Sequence, residues 1–136
     1  IQHMIVHVVP LMREHGGSII NMTSLTAIRP RPGMTWYNAT KAAVISITHS
    51  MAGEFAADKI RVNAIAPGVS RTPMFDAIFG SGERAEQAYG QLVETFPLGR
   101  LSDPADIAAA AVYLASNEAS FITGVVLPVD GGRLIA

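Results

Sequence analysis

The sequence of 136 residues contains no cysteine, a single tryptophan and no long uninterrupted apolar run. Without cysteine there is no disulfide framework and no thiolate chemistry, which fits a reducing cytoplasm. The longest apolar run, residues 107–115, is far short of the roughly 20 residues that a membrane-spanning helix requires. No signal-peptide pattern opens the sequence. We therefore expect a cytoplasmic protein without a membrane partner.

The net charge is also small: ten basic residues balance eleven acidic ones, and the formal net charge is −1. Nucleic-acid-binding surfaces concentrate Lys and Arg beside stacking aromatics, so nucleic acid is not an expected partner. Yet 49% of the residues are hydrophobic, and the mean hydropathy is +0.31. A chain of this size buries only roughly two-thirds of its unfolded surface. We expect it to be part of a larger fold and to pack against copies of itself.

Hydrophobic periodicity predicts helices that alternate with short, buried strands. Helices are predicted over residues 1–13 and 35–57 and from Pro104 onward, with shorter ones between residues 72 and 98; strands are predicted over 18–22, 60–65 and 125–129. Asp103 is the expected cap of the helix that begins at Pro104. This alternation predicts right-handed parallel crossovers and an open α/β sheet.

Helical spacing starts at the first residue, so the first predicted helix lacks both a beginning and a cap. We expect that an amino-terminal portion of the fold is missing from this sequence. The alternatives, Met4 as an initiator or His3 and Met4 as a vector remnant, leave the helix equally uncapped.

Tyr37 and Lys41 lie four residues apart and therefore share one face of a helix. A nearby cation favours the phenolate form of tyrosine, which suits a group that exchanges a proton with a substrate. Ser24 follows the first predicted strand, at the edge where open α/β sheets bind ligands. Its hydroxyl would hold the substrate oxygen. Without further context, Ser24 is more simply explained as a turn or cap residue, and the Tyr–Lys pair as a solvated helix face.

Several linked segments together resemble the short-chain dehydrogenase/reductase family in order and spacing. They are GSIINMTS at residues 17–24, YNATKAAV at 37–44, RVNAIAPG at 61–68 with Thr72, PLGR at 97–100, PADI at 104–107, Thr123–Gly124 and DGG at 130–132. The resemblance covers nearly the whole chain. It implies the carboxy-terminal half of a doubly wound parallel-sheet Rossmann fold whose amino-terminal dinucleotide-binding part is missing. Residues 1–136 would then be the catalytic and substrate-binding part of a single Rossmann-type domain, truncated at its amino terminus.

The resemblance also implies a role for each site residue and a cofactor, NAD or NADP. Ser24, Tyr37 and Lys41 would be the catalytic residues, with Tyr37 as the general acid/base and Lys41 also bonded to the nicotinamide ribose. Pro67, Gly68, Val69 and Thr72 would form, with Tyr37 and Lys41, the cofactor-binding set. Gly68 has an independent explanation, because a glycine lets the main chain approach a planar ring closely. The family's glycine-rich phosphate loop and its catalytic asparagine have no counterpart in the sequence.

The expected substrate is a small, moderately apolar alcohol or ketone. Ser24, Trp36, Met74 and Phe75 are candidates to contact it, although aromatic and Met side chains serve equally as core or interface filler. The long helix carries a face of Ala39, Ala42, Ala43, Ile47, Met51 and Phe55, most simply explained by packing within the molecule. The resemblance implies that this helix and the first one also pair across subunits in a homodimer or homotetramer.

Several alternatives remain at this stage. The same fold supports a dehydratase or epimerase that uses the cofactor transiently, and a non-catalytic dinucleotide-binding or structural subunit. Asn63, inside an apolar strand, is predicted to bridge to a neighbouring loop. His3 and His7 are spaced as a metal pair on a helix, but no third ligand lies nearby, and we predict no metal site.

Overall fold

The computed structural model describes residues 1–136 and contains one sheet of three parallel strands. The strands are β1 (Gly17–Met22), β2 (Ile60–Pro67) and β3 (Val126–Val129). Six α-helices connect them: α1 (Gln2–Met12), α2 (Leu25–Ile28), α3 (Thr35–Glu54), α4 (Pro73–Phe79), α5 (Glu83–Val93) and α6 (Pro104–Ala115), with 3₁₀ turns at Ala56–Asp58 and Asn117–Ala119. The α/β class and the parallel sheet predicted from the sequence are confirmed.

The strands stand in the order β1–β2–β3, so β2 is central. Gly17 pairs with Ile60 and Met22 with Ile65, while Ala64 pairs with Val126. This register brings the carboxyl ends of all three strands to one edge of the sheet. Ligands of open parallel sheets bind at that edge.

Helices cover both faces of the sheet, because successive side chains of a strand point to opposite sides. On one face, Val62 packs with Val9 of α1 and with Met51 and Ala52 of α3. On the other face, Ser18 donates a hydrogen bond to the carbonyl of Leu114 in α6 (2.9 Å). Because helices cover both of its sides, β2 is buried and is a nearly continuous apolar run.

The prediction for the small-residue face of α3 is largely wrong. Ala39, Ala42, Ala43 and Ile47 are exposed, whereas the buried residues of the helix are Asn38, Thr48, Met51 and Ala52. The helix is thus rotated about its axis relative to the prediction, and a polar contact accounts for its orientation. The Thr48 hydroxyl accepts a hydrogen bond from Asn21 Nδ2 in β1 (3.0 Å) and donates to the Val44 carbonyl (2.8 Å). Met51 and Phe55 do pack inward as expected.

The largest differences from the predicted element boundaries lie at the ends of α3 and β2. Helix α3 ends at Glu54, and Lys59 takes a left-handed conformation (φ 57°) that turns the chain into β2. Strand β2 continues to Pro67, because the missing proline N–H falls at the last paired position, opposite Val129. Val125 precedes β3 yet already accepts a hydrogen bond from the Ala64 N–H (2.8 Å).

The start of α6 confirms the predicted cap. Asp103 accepts a hydrogen bond from the Ala105 N–H (2.8 Å), and Asp106 accepts one from the Asp103 N–H (2.8 Å). Pro104 occupies the first turn, where a proline leaves no donor unsatisfied. None of the helices combines the length and the apolar character needed to cross a bilayer.

Candidate active site

A cleft of about 950 Å³ opens at the carboxyl edge of the sheet. Four segments form its walls: the stretch from Ser24 to Tyr37, the loop after β2, α4, and the segment after β3 that carries Arg133. Of the residues predicted to act at a site, it brings together Ser24, Trp36, Tyr37, Gly68, Val69, Thr72, Met74 and Phe75. Lys41 and Pro67 do not line it.

Ser24 comes directly after β1, and it both caps a helix and lines the cleft. Its Oγ caps α2 by accepting a hydrogen bond from the Thr26 N–H (3.3 Å) and lies 3.1 Å from the Thr26 hydroxyl oxygen. Ser24 is buried, and both residues line the cleft. The cap explanation is therefore confirmed, and the same residue also lines the cleft.

Tyr37 stands in the first turn of α3, with 40% of its surface exposed. Its hydroxyl makes no hydrogen bond within the chain. The Lys41 ammonium lies 5.8 Å from the centre of the Tyr37 ring, so the cation is close to the phenol as the spacing predicted. Lys41 Nζ also donates to the Met22 carbonyl (3.2 Å), and its own carbonyl accepts from the Thr23 hydroxyl (2.7 Å). These two contacts hold the amino-terminal part of α3 against the end of β1.

The loop after β2 leaves donors free on the cleft wall. The Val69 carbonyl is occupied, accepting hydrogen bonds from the backbone N–H and the hydroxyl of Ser102 (both 3.1 Å). The Val69 N–H and the Thr72 hydroxyl have no partner in the chain, although both residues line the cleft. Pro67 belongs to the β-ladder and contributes to the site only by setting where the loop begins.

Gly68 has a simpler explanation than a close approach to a ring. A Cβ at this position would lie 3.1 Å from the Asp130 Cα and 3.1 Å from Phe96 Cε1. Both distances are tighter than ordinary contacts, so the packing of the fold itself favours glycine here. The sequence-based explanation of this glycine is therefore unnecessary, while its position on the cleft wall agrees with the predicted site.

The aromatic and methionine candidates divide into two groups. Trp36 and Met74 are 83% and 65% exposed and present apolar surface at the cleft. Phe75 is only 2% exposed and packs among Ala85, Leu92, Phe96 and Leu101, with its ring centre 4.7 Å from that of Phe79. Phe75 is thus a core residue whose edge forms part of the wall.

Six polar residues of the cleft escaped the sequence analysis: Thr26, Arg29, Arg31, Thr35, Ser70 and Arg133. The Arg-Pro-Arg-Pro segment between Ser24 and Tyr37 was a usable signal, because it places two charges between two catalytic candidates. Arg133 carried no local signal. It reaches the cleft only because β3 pairs beside β2.

A further arginine beside the site, Arg71, is neutralised by its own chain. Its guanidinium contacts the Glu86 carboxylate of α5. This contact raises the pKa of Arg71 above its ordinary value and lowers the pKa of Glu86. Arg71 does not line the cleft, and its ion pair ties the loop after β2 to α5.

Comparison with known proteins agrees with the geometry. Residues 1–133 match the family model described as enoyl-(acyl carrier protein) reductase. The chain is 44% identical over 119 residues to a 4-formylbenzenesulfonate dehydrogenase of Comamonas testosteroni, covering 88% of this chain and 47% of that protein. It is 42% identical over 129 residues to a 3-oxoacyl-(acyl-carrier-protein) reductase of Thermotoga maritima, covering 94% of this chain and 50% of that protein.

A solved structure extends the match. The crystal structure of a 3-ketoacyl-(acyl-carrier-protein) reductase from Brucella melitensis, complexed with NADH, superimposes with a TM-score of 0.83 at 40% identity. The match covers 98% of this chain and 51% of that one. The chain therefore spans about half the length of the relatives it matches.

Proposed function

The chain belongs to the short-chain dehydrogenase/reductase family, and from this premise we propose that residues 1–136 form the catalytic and substrate-binding part of a Rossmann-type oxidoreductase. The reaction is hydride transfer between NAD or NADP and a carbonyl or secondary alcohol. One observation carries the proposal: Ser24, Tyr37 and the loop residues Gly68, Val69 and Thr72 line a single cleft at the carboxyl edge of the sheet.

Tyr37 is proposed to exchange the proton of the reacting oxygen. Its hydroxyl is unpartnered and stands on the cleft wall, which leaves it free to donate to a carbonyl oxygen or to accept from an alcohol. The Lys41 ammonium, 5.8 Å from the ring centre, favours the phenolate that remains after donation. Ser24 would hold the same substrate oxygen by a hydrogen bond from Oγ, since its hydrogen can rotate away from Thr26.

The residues present fit a nicotinamide cofactor, which supplies or removes the hydride when bound. The unpartnered Val69 N–H and Thr72 hydroxyl suit the polar carboxamide of a nicotinamide ring. Lys41 Nζ uses one donor on the Met22 carbonyl and has two others available for ribose hydroxyls. The single O–H of Tyr37 is also unpartnered. Pro67 and Gly68 fix the path of this loop, with the Gly68 N–H bonded to the Val129 carbonyl (3.0 Å).

The proposed substrate is a small alcohol or ketone that rests against Trp36, Met74 and the edge of Phe75. We also propose a homodimer or homotetramer located in the cytoplasm. Apolar side chains exposed on α1 and α3 support the assembly: Met4, Val6 and Leu11 are 66%, 61% and 78% exposed, and Ile47 is 37% exposed.

Substitution of Tyr37 tests the function. In the purified enzyme, Tyr37→Phe is expected to lower kcat for NADH- or NADPH-dependent carbonyl reduction by about 10²–10⁴-fold, the usual contribution of a general acid/base. Cofactor binding, followed by NADH fluorescence, should persist. Tyr113→Phe is the matched control, because Tyr113 lies on α6 outside the cleft and is 45% exposed.

Two results would contradict the proposal. If Tyr37→Phe retained wild-type turnover, the acid/base assignment would be wrong. If the wild-type protein bound NADH but reduced no carbonyl compound, the alternative of a non-catalytic dinucleotide-binding subunit would replace it.

A further inference from the structure

The wall of the cleft carries formal charge of one sign only. Arg29, Arg31 and Arg133 line it, and no aspartate or glutamate does. None of the three pairs with an aspartate or glutamate, whereas three other arginines of the chain each contact such a carboxylate. In a chain with a formal net charge of −1, this is a local excess of positive charge.

The segment that carries two of these arginines is held in place from both sides. Asn38 in α3 donates a hydrogen bond from Nδ2 to the Arg31 carbonyl (2.9 Å). Arg29 Nη1 donates to the Arg133 carbonyl (2.9 Å) and to the Ala136 carbonyl. Arg29 therefore links the loop to the segment after β3 by hydrogen bonds. Arg31 and Arg133, one on each of these two segments, line the same cleft.

The guanidinium groups of Arg31 and Arg133 are free to bind a ligand. Neither donates a hydrogen bond within the chain, and that of Arg133 lies 5.9 Å from the centre of the Phe96 ring. Each guanidinium presents five N–H donors in a planar arrangement that matches carboxylate, sulfonate or phosphate oxygens.

The nearest carboxylate in sequence does not neutralise Arg133. Asp130 is buried, and its two oxygens accept hydrogen bonds from the backbone N–H groups of Gly132 (3.1 Å) and Leu134 (2.7 Å). Asp130 therefore bonds to the backbone of the turn after β3 and forms no ion pair with Arg133. The free guanidinium groups are therefore available to a ligand anion, since cations that line a cleft attract anions.

We propose that the substrate carries an anionic group, a carboxylate, sulfonate or phosphate, in addition to its reacting carbonyl or alcohol, and that Arg31 and Arg133 bind this group. The assignment rests on the proposed function, which places the reacting oxygen at Ser24 and Tyr37. The apolar surface of Trp36 and Met74 in the same cleft would contact the body of the molecule.

Binding of a simple anion provides the first test. Fluorine NMR of para-fluorobenzoate and its neutral analogue para-fluorobenzamide, each added to the purified protein, measures affinity without turnover. The anion is expected to bind about tenfold more tightly, and Arg31→Gln and Arg133→Gln should each remove most of that difference. Arg84→Gln is the matched control, because Arg84 makes no ion pair and lies outside this cleft. Equal affinities, or variants that behave as wild type, would overturn the proposal.

A competition experiment separates the substrate from the cofactor as the source of the anion. With saturating NADH present, para-fluorobenzoate should still bind and should still depend on Arg31. If NADH displaces it, and Arg31→Gln weakens NADH binding instead, the arginines hold a cofactor phosphate and the proposal is wrong.

Turnover distinguishes failure of this proposal from failure of the proposed function. The ratio of kcat/KM for para-carboxybenzaldehyde over benzaldehyde is expected to be at least about tenfold in wild type and to collapse in Arg31→Gln. Equal reduction of both aldehydes would refute the anion site and retain the oxidoreductase. Arginine-dependent benzoate binding with no reduction of either aldehyde would refute the oxidoreductase and retain the anion site.

Discussion

Asn63 in the central strand and Arg31 in the cleft wall are both polar, but the chain satisfies the hydrogen-bonding groups of Asn63 and leaves those of the Arg31 side chain without a partner. Asn63 is fully buried, and its amide donates to the Ile122 carbonyl (2.9 Å) and accepts from the Val125 N–H (3.0 Å), as predicted for a structural bridge. The Arg31 side chain is exposed and has no partner in its own chain. Tyr37 and Thr72 in the cleft share this freedom. Polar groups satisfied by the chain serve the fold, and those left free on a cleft wall are available to a ligand.

Phe75 tests the distinction between residues that serve the fold and residues that serve the ligand, because it belongs to the core and also lines the cleft. Phe75→Ala is expected to lower the free energy of unfolding by about 3–5 kcal/mol, since a buried ring is replaced by a cavity. It should also raise KM by widening the cleft. Chemical denaturation and steady-state kinetics measure the two effects. Phe121→Ala, at a fully exposed ring, is the control and should leave both close to wild type.

Substitution of Asn63 tests whether a polar residue satisfied within the chain contributes to stability and not to ligand binding. Asn63→Ala leaves a buried carbonyl and a buried N–H without partners, so the free energy of unfolding should fall by about 1–3 kcal/mol. KM for the substrate should stay near wild type, because Asn63 does not line the cleft. Asn117→Ala, at an exposed asparagine whose side chain makes no hydrogen bond, should change stability by less than about 0.5 kcal/mol. Equal losses in the two variants would contradict the bridge.

Asp106 gives the smallest expected effect and a pH signature. The Arg100 guanidinium and the Asp103 backbone N–H lower the pKa of Asp106 from 3.8 to about 2. A depressed pKa stabilises the folded state above the unfolded pKa, and this contribution is lost as pH falls through the folded value. Asp106→Asn should therefore lower Tm at pH 7, and its difference from wild type should close between about pH 4 and pH 2. A pH-independent difference between Asp106→Asn and wild type would contradict this account.

The sequence predicted those features that local chemistry determines. The Asp103–Pro104 helix start, the buried strands and the Asn63 bridge follow from residue type and immediate neighbours. The orientation of α3 could not be predicted in this way. Alanines do not indicate which face of a helix is buried, and the hydrogen bond between Asn21 and Thr48 joins residues far apart in sequence. Arg133 was missed for the same reason: its carbonyl accepts from Arg29, 104 residues earlier.

For the candidate site, the roles of Ser24, Tyr37 and Lys41 remain predictions that the structure accommodates. Their spacing was readable in the sequence, and the structure adds which of them face the cleft. Ser24 and Tyr37 line it, while Lys41 stands behind Tyr37 against the Met22 carbonyl. The charge of the cleft was readable only in part: Arg29 and Arg31 lie between Ser24 and Tyr37 in the sequence, whereas Arg133 joins them only in the folded chain.

A double-mutant cycle of Ser24→Ala and Tyr37→Phe, with kcat/KM for carbonyl reduction as the readout, tests the central claim that both hydroxyls act on one substrate oxygen. Each single substitution is expected to cost about 10²-fold or more. If the claim holds, the two losses are strongly non-additive, and the double variant is scarcely slower than Tyr37→Phe alone. Losses that multiply fully would show that the two residues act independently and would contradict the account.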